Sequence, residues 1–398
     1  MGMLAGAVDH VIGVDTHRDA HAAAVCDPTG GVVAEHQVAA DAFGYRRLLA
    51  FARKRAPGRR VWAIEGTGSF GAGLTTYLLE QGEWVVEIDR PARPARRNGA
   101  KSDLLDAARA AREALSREHL AQPRRRGDRE AMRVLLSARQ GAVVARTRAI
   151  GQLKALIVNA PEQLRQHFRQ MSTDDQLARC ARLRTLPTHS AEHRATVIAL
   201  RAVARRALAL EADAADLESR LEELVVAAAP GLLDEPGVGA ITAAQLLLSW
   251  SHPGRLRSEA AFASLAGAAP IPASSGQVVR HRLNRGGDRQ LNRALHTIVL
   301  SRLAHHPETR AYAARRAGEG RTPREIRRCL KRFVARRLFR LLEASEPAPA
   351  ISPPKPRPQR LVADSDPPDM RSASAILQGV IERLAGTAPP QEASAAGA

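Results

Sequence analysis

Short apolar runs separated by turn residues occupy the N-terminal part of the chain. Ala-, Leu-, Arg- and Glu-rich stretches with apolar residues three and four apart occupy most of the remainder. The first run, Val11-Ile12-Gly13-Val14-Asp15, is rich in β-branched residues and ends in a carboxylate; apolar residues resume at Ala22 after a polar turn. This reads as a hairpin with Asp15 at the lip of a buried strand. Residues 11 to 36 hold three such runs, with Asp27-Pro28-Thr29-Gly30-Gly31 as the clearest turn, and predict an antiparallel meander. From Asp41 the spacing of Phe43, Leu48, Leu49 and Phe51 predicts a helix that Pro57-Gly58 stops, and Val61-Trp62-Ala63-Ile64-Glu65 predicts the next strand. A glycine cluster at 66 to 73 opens a second helix reaching about Gly82. A strand from Trp84 to Ile88 comes next, and a basic, Pro-containing loop from Arg90 to Arg97 leads to Lys101. Antiparallel hairpins followed by parallel βα units predict a mixed sheet with helices. The glycines at 66 to 73 match neither the dinucleotide spacing nor the Lys-Ser/Thr ending of a P-loop, which leaves a tight strand-to-helix turn beside Glu65.

From Asp128 to about Ala229 the pattern is helical, and Pro161 and Pro187 divide it into a helix near 128 to 160, a broken middle, and a long helix near 191 to 228. Along the long helix Leu210, Asp213, Leu217, Leu221 and Leu224 approximate a heptad seam flanked by charges, which predicts self-association through this segment. Leu232 to Ala243 has the pattern of a helix-hairpin-helix, in which Gly237 and Gly239 let backbone N–H groups approach a phosphate at a helix N-terminus. Farther on, Leu291, Leu295, Ile298 and Leu303, then Ile326, Leu330, Phe333, Leu338 and Leu342, predict two helices with arginine-lined outer faces. After Ala344 the Pro, Ala and Ser content rises and aromatics vanish, as in a disordered tail, with one short helix at Ala373 to Leu384. The expected organisation is an α/β domain over 1–118, a helical, coiled-coil segment over 119–229, a mainly α-helical domain over 230–344 and a tail over 345–398.

Charge gives these helices a purpose. The 398 residues carry 60 Lys and Arg against 41 Asp and Glu, a formal +19, which calls for a polyanionic partner, and nucleic acid is the first such partner. The excess is local: residues 280–343 hold 18 Arg and Lys against 5 acids, so +13 of the total lies in one segment. Arg280, Arg282, Arg285, Arg289 and Arg293 open that segment and are candidate nucleic-acid contacts. The basic residues do not gather on one amphipathic helix with an aromatic face, and no run approaches the roughly 18 apolar residues of a spanning helix. Cys26, Cys180 and Cys329 are far apart and odd in number, which suggests neither a disulfide framework nor a zinc site. A soluble protein of the reducing cytoplasm is expected.

Against this basic background four acids stand out. Asp15 and Glu65 end two apolar strands of one domain, and Asp103 and Asp106 share a helix face three residues apart. Taken singly, each would be a cap or a solvated loop residue. Gathered together they would repel one another unless cations neutralised them, and such oxygen clusters hold Mg²⁺ or Mn²⁺ for phosphodiester chemistry.

The order Asp15, Glu65, Asp103, Asp106, within Gly13-Val14-Asp15, Ile64-Glu65-Gly66 and Lys101-Ser102-Asp103-Leu104-Leu105-Asp106, resembles the RuvC-like, RNase H-fold domain of the DEDD-type insertion-sequence transposases, family one-ten. Pro236-Gly237-Val238-Gly239, Phe262 to Gly267, Pro270 to Gly276 and Arg285-Gly286-Gly287-Asp288-Arg289 resemble the second domain of that family, in the same order, and the likeness spans roughly 9 to 344. The resemblance implies a recombinase that moves its own element, guided by a structured RNA that pairs with donor and target DNA, and acting in an oligomer between dimer and tetramer. It implies a serine nucleophile in the Pro-containing loop. The matching position is Ser275, with Ser274 adjacent, and the family's Lys-Arg-Gly-Asn-Arg reads Arg-Gly-Gly-Asp-Arg here. Read without the resemblance, Ser275 is a turn residue placed between a phosphate-binding hairpin and basic helices, with no His and Asp beside it in sequence to form a hydrolase triad. Two other functions compete. A metal-dependent junction resolvase needs the four acids and has no use for Ser275, and an architectural nucleic-acid binder needs neither.

Overall fold

A computed structural model describes residues 4–88, 102–118, 120–124, 126–273, 281–282, 284 and 286–344. The basic loop, Lys101, Ser274, Ser275, Arg280, Arg285 and the tail after Ala344 lie outside them.

The chain opens with the expected meander, β1 (His10–Thr16), β2 (Ala20–Cys26) and β3 (Val32–Ala39), each strand antiparallel to the next. Asp41 caps α1 (Ala42–Arg55), its carboxylate accepting from the Gly44 amide, and the chain returns as β4 (Arg60–Glu65) parallel to β1. After α2 (Ala72–Glu80), β5 (Val85–Ile88) adds parallel to β4, so the sheet order is β3-β2-β1-β4-β5. Two βα units laid beside a meander give this mixed order, which is that of an RNase H-like domain. Alternation along β1 and β4 sends Ile12, Val14, Trp62 and Ile64 to a core with α1 and α2. Val11, Val61 and Ala63 go to the opposite face, beneath α3 (Asp103–Ser116). Gly13 lies on that second face and has to be glycine. A Cβ there would sit 1.9 Å from the Ala107 carbonyl oxygen, so α3 lies directly on the β1 backbone.

The helical segment forms one antiparallel hairpin of α4 (Asp128–Val158) and α7 (Ala191–Ala228). Short α5 (Glu162–Phe168) and α6 (Thr173–Cys180) pack at its far end around Phe168, Leu177 and Leu200. The buried line of α7 runs through Val203, Ala207, Ala214, Leu221 and Val225 and meets α4 of the same chain. Asp213, in the expected seam, is exposed, and Leu210, Leu217 and Leu224 are half-buried on the flank. Of the expected seam only Leu221 lies on the buried stripe; the other leucines flank it, because the charged face and the small-residue face of α7 border the same leucines.

The near ends of the hairpin, at Met132, Leu221 and Val225, join the C-terminal core. That core is built by α8 (Ala240–Trp250), α9 (Glu259–Leu265), α10 (Arg289–His305), α11 (Pro307–Gly318) and α12 (Pro323–Ala344). Three helices lie between residues 289 and 344 where two were expected. Pro307 at the first turn starts α11, capped by the His306 imidazole, and its single buried residue, Thr309, left no apolar stripe to read.

Glu235 locks this core together. It is 7% exposed and pairs with Arg302 of α10 (3.0 Å) and Arg337 of α12 (2.7 Å), while Arg302 also donates to the Pro236 carbonyl (2.7 Å). Burial alone would raise its pKa, but the two guanidinium groups outweigh burial and hold it below the ordinary carboxylate range. That stabilisation is present at neutral pH and is lost as pH falls through the depressed value. Glu235→Ala strands a largely buried Arg302, and the expected loss is ~3–5 kcal/mol, read as a lower denaturant midpoint for the C-terminal core. An unchanged midpoint would show that the clamp contributes nothing net.

Candidate active site

β1 and β4 run in parallel with Val14 opposite Ile64, so the next residues, Asp15 and Glu65, end the two strands side by side. Both continue the parity of Val11, Val61 and Ala63 and belong to the α3 face. Thr16 Oγ1 donates to the Glu65 carbonyl (2.9 Å) and ties the two strand ends together. On α3, Asp103 lies four residues before Ala107, which covers Gly13. Four helical residues rise about 6 Å and two strand residues about 6.6 Å, so Asp103 is carried over the end of β1. Asp103 and Asp106 both occupy the first turn of α3, where the helix dipole favours a carboxylate.

Asp15 and Asp103 do converge, and with them a residue that was not anticipated, His17. Nε2 of His17 lies 3.2 Å from Asp15 Oδ2 and 3.4 Å from Asp103 Oδ1, and one donor atom from each of the three residues lies within 4.8 Å of the others. Glu65 and Asp106 are outside that group; Asp106 is held by Arg109 at 2.5 Å, one helical turn along α3. The Asp15 pKa is raised, chiefly by burial, with the charges of Asp103 and Asp106 adding to the rise and His17 opposing it. A half-buried carboxylate whose ionisation is resisted by its surroundings, with a second carboxylate and an imidazole alongside, suits a divalent cation. His17 was legible in one respect: it stands two residues after Asp15 in an extended run, and period two puts both on one face.

The remaining candidates separate. Gly237 adopts φ +77°, and a Cβ there would meet the Ile298 carbonyl at 2.9 Å, so this glycine serves close packing on α10. Gly239 is exposed at the N-terminus of α8, with open space where a Cβ would be, and Thr242 Oγ1 accepts from its amide (3.0 Å). Asp288, within Arg285-Gly286-Gly287-Asp288-Arg289, caps α10 through the amides of Gln290 and Leu291 and accepts from Ser249 (2.6 Å). Arg282, Arg289 and Arg293 are exposed, Arg293 bonding to Gln140 of α4 (2.9 Å). The strands that flank residues 273–280, β6 (Ile271–Pro272) and β7 (His281–Arg282), pair antiparallel.

Two basic concavities were not anticipated residue by residue. A cavity of about 310 Å³ is lined by Arg282, Arg316, Arg321, Arg328, Lys331 and Arg332. Burial and Arg328 lower the Lys331 pKa. A groove of about 600 Å³ between α4, α8 and α10 is lined by Arg124, Arg129, Arg133, Arg139, Arg293 and Thr242. Arg124 borders the turn after Glu65, its Cδ 4.0 Å from where a Cβ on Gly68 would lie. Burial, with Arg124 and Arg255 nearby, lowers the Arg129 pKa to about 10. Crowded cations of this kind are relieved by phosphate.

An RNase H-like sheet with acids at adjacent strand ends, joined to a basic helical domain, is an arrangement suited to metal-dependent chemistry on nucleic acid. Comparison with known proteins gives the particular family. Residues 12–160 match the DEDD transposase profile of IS110 elements, described as "Transposase", and residues 230–314 match "Transposase IS116/IS110/IS902 family". The chain belongs to this family of insertion-element transposases. It is similar to the IS900 uncharacterized 42 kDa protein of Mycobacterium paratuberculosis, 28% identical over 78% of this chain and 89% of the relative. It is also similar to the IS110 uncharacterized 43.6 kDa protein of Streptomyces coelicolor, 36% identical over 27% of each chain. Such enzymes bind DNA and use divalent metal. Among the described residues no helix is long and apolar enough to cross a membrane.

Proposed function

We propose that this transposase cuts and rejoins DNA through a covalent serine intermediate, using Mg²⁺ or Mn²⁺ held by Asp15, Glu65, Asp103 and Asp106, and that an element-encoded RNA directs it to donor and target DNA. The observation that carries the reading is the convergence of Asp15 and Asp103 in a chain whose C-terminal part holds a +13 segment. The cations, when bound, supply Lewis acidity toward a phosphodiester. Ser275 supplies the nucleophile: its Oγ bonds to phosphorus, the bond from phosphorus to one deoxyribose oxygen breaks, and the serine proton ends on that oxygen. Attack by a free hydroxyl end reverses the step, so rejoining needs no external energy source.

Gly239 offers the exposed end of α8 to a phosphate, and Arg282, Arg289 and Arg293, joined by Arg280 and Arg285, hold the strand; Gly237 keeps the hairpin on α10. We assign 1–118 to catalysis, 119–229 to joining protomers as dimer or tetramer, and 230–344 to the serine and nucleic-acid functions, all in the cytoplasm. For joining protomers, the α4/α7 hairpin keeps a shallow groove in which Ala138, Gly141, Ala142 and Ala145 face half-buried Leu210 and Leu217.

The test is a nicked suicide substrate analysed by denaturing electrophoresis. DNA attached to protein is expected with Mg²⁺ or Mn²⁺ and not in EDTA. Products that always carry free ends would favour a water-using resolvase, and full strand exchange in EDTA would remove the carboxylates from the chemistry. Binding should also weaken steeply with salt, each neutralised phosphate adding roughly −0.9 to the slope of log K against log[salt]. Deleting residues 345–398, where 5 basic and 6 acidic residues nearly cancel, should leave that slope unchanged.

A further inference from the structure

We infer that His17 is itself a ligand of the catalytic cation, so that the centre presents a mixed nitrogen and oxygen donor set and prefers Mn²⁺ or another transition ion to Mg²⁺. The inference rests on the reading that Asp15 and Asp103 hold a divalent metal. Donors bound about 2.1 Å from one ion lie about 3.0 Å apart in octahedral and about 3.4 Å apart in tetrahedral geometry. Nε2 of His17 hydrogen-bonds Asp15 Oδ2 at 3.2 Å and stands 3.4 Å from Asp103 Oδ1, so an ion entering between the two carboxylates would replace the ring proton and find the three donors already at ligand spacing.

The backbone fixes this placement. β1 ends at Thr16, and the His17 amide donates to the Ala20 carbonyl (3.1 Å), closing a two-residue turn over Arg18 and Asp19. The ring therefore stays on the α3 side with Asp15. Imidazole nitrogen is a softer donor than carboxylate oxygen, and its presence raises affinity for Co²⁺ or Zn²⁺ far more than for Mg²⁺, with Mn²⁺ between them. His21 does not share this role. It is fully buried on the opposite face of the sheet, stacked 5.7 Å from the Tyr45 ring.

The experiment uses the full chain, stripped with EDTA and titrated with Mn²⁺, read by electron spin-echo modulation and by competition with Mg²⁺. Wild type and His21→Phe should show coupling of bound Mn²⁺ to an imidazole ¹⁴N, and His17→Ala should lose it. His17→Ala should still bind Mn²⁺, about tenfold or more weakly, since even outer-sphere partners of a metal site are worth 10–100-fold. Its Mg²⁺ affinity should change little. His17→Asp, which restores an oxygen donor, should bind without the coupling and with a smaller preference for Mn²⁺. Bound Mn²⁺ without ¹⁴N coupling in wild type, or coupling that survives in His17→Ala, overturns the role of His17 and leaves the carboxylate site standing. Failure of wild type to bind Mn²⁺, or binding undiminished in Asp15→Asn and Asp103→Asn, overturns the carboxylate site as well.

Discussion

Asp15→Asn should abolish strand cleavage, lowering the rate by at least ~10³-fold, and should at the same time raise the unfolding temperature of the metal-free protein. The two effects have one cause. Burial and the neighbouring acids raise the Asp15 pKa, so the folded chain resists the ionised carboxylate while the unfolded chain does not. This cost is complete above the raised pKa, fades as pH falls from that value, and is gone below the ordinary carboxylate range, where the group carries its proton in both states. Asparagine keeps the shape and removes the charge. With saturating metal the order should reverse, because an ion bound only to the folded wild type adds about 2.7 kcal/mol at a hundred times its dissociation constant. Thermal melts of both proteins, with EDTA and with Mn²⁺, check the crossing. A variant less stable than wild type in EDTA would mean that the His17 contact outweighs the cost of burial.

Ser275→Ala should eliminate the protein–DNA adduct and all strand exchange while leaving nucleic-acid affinity within about twofold, since one neutral hydroxyl among many charged contacts adds little to binding. Ser274→Ala should be far milder. Peptide mapping of the trapped species should place the DNA on the peptide that contains Ser275. An adduct that persists in Ser275→Ala and disappears in Ser274→Ala would move the nucleophile by one residue. Together with the Asp15 result, these variants separate the enzymatic readings. Loss of activity in both supports the transposase mechanism, and loss in Asp15→Asn alone supports a resolvase.

The alternation of Val11 to Asp15 and Val61 to Glu65 was enough to place both acids at strand ends, because a strand with one parity buried leaves no choice about where the other parity points. The lengths of α4 and α7 were equally legible, since Pro161 and Pro187 punctuate an otherwise continuous helical pattern. Charge density pointed to a polyanionic partner, because the 18 cations of one segment outnumber its 5 acids, even though Arg302 and Arg337 are paired with Glu235 inside the fold. Periodicity could not say which flank of α7 is covered. That depended on α4, more than 30 residues earlier in the chain, choosing the stripe through Ala207, Ala214 and Leu221. Nor could spacing reveal that Gly237 answers to the α10 backbone, or that Glu235 joins Arg302 to Arg337 across two helices. The meeting of His17 with Asp103 is the clearest case. Period two aligns His17 with Asp15, but only the contact of α3 with the bare backbone at Gly13 lowers the helix far enough to bring the second carboxylate within reach of the imidazole. Local pattern fixes the face on which a side chain lies, whereas the distance between faces is set by packing.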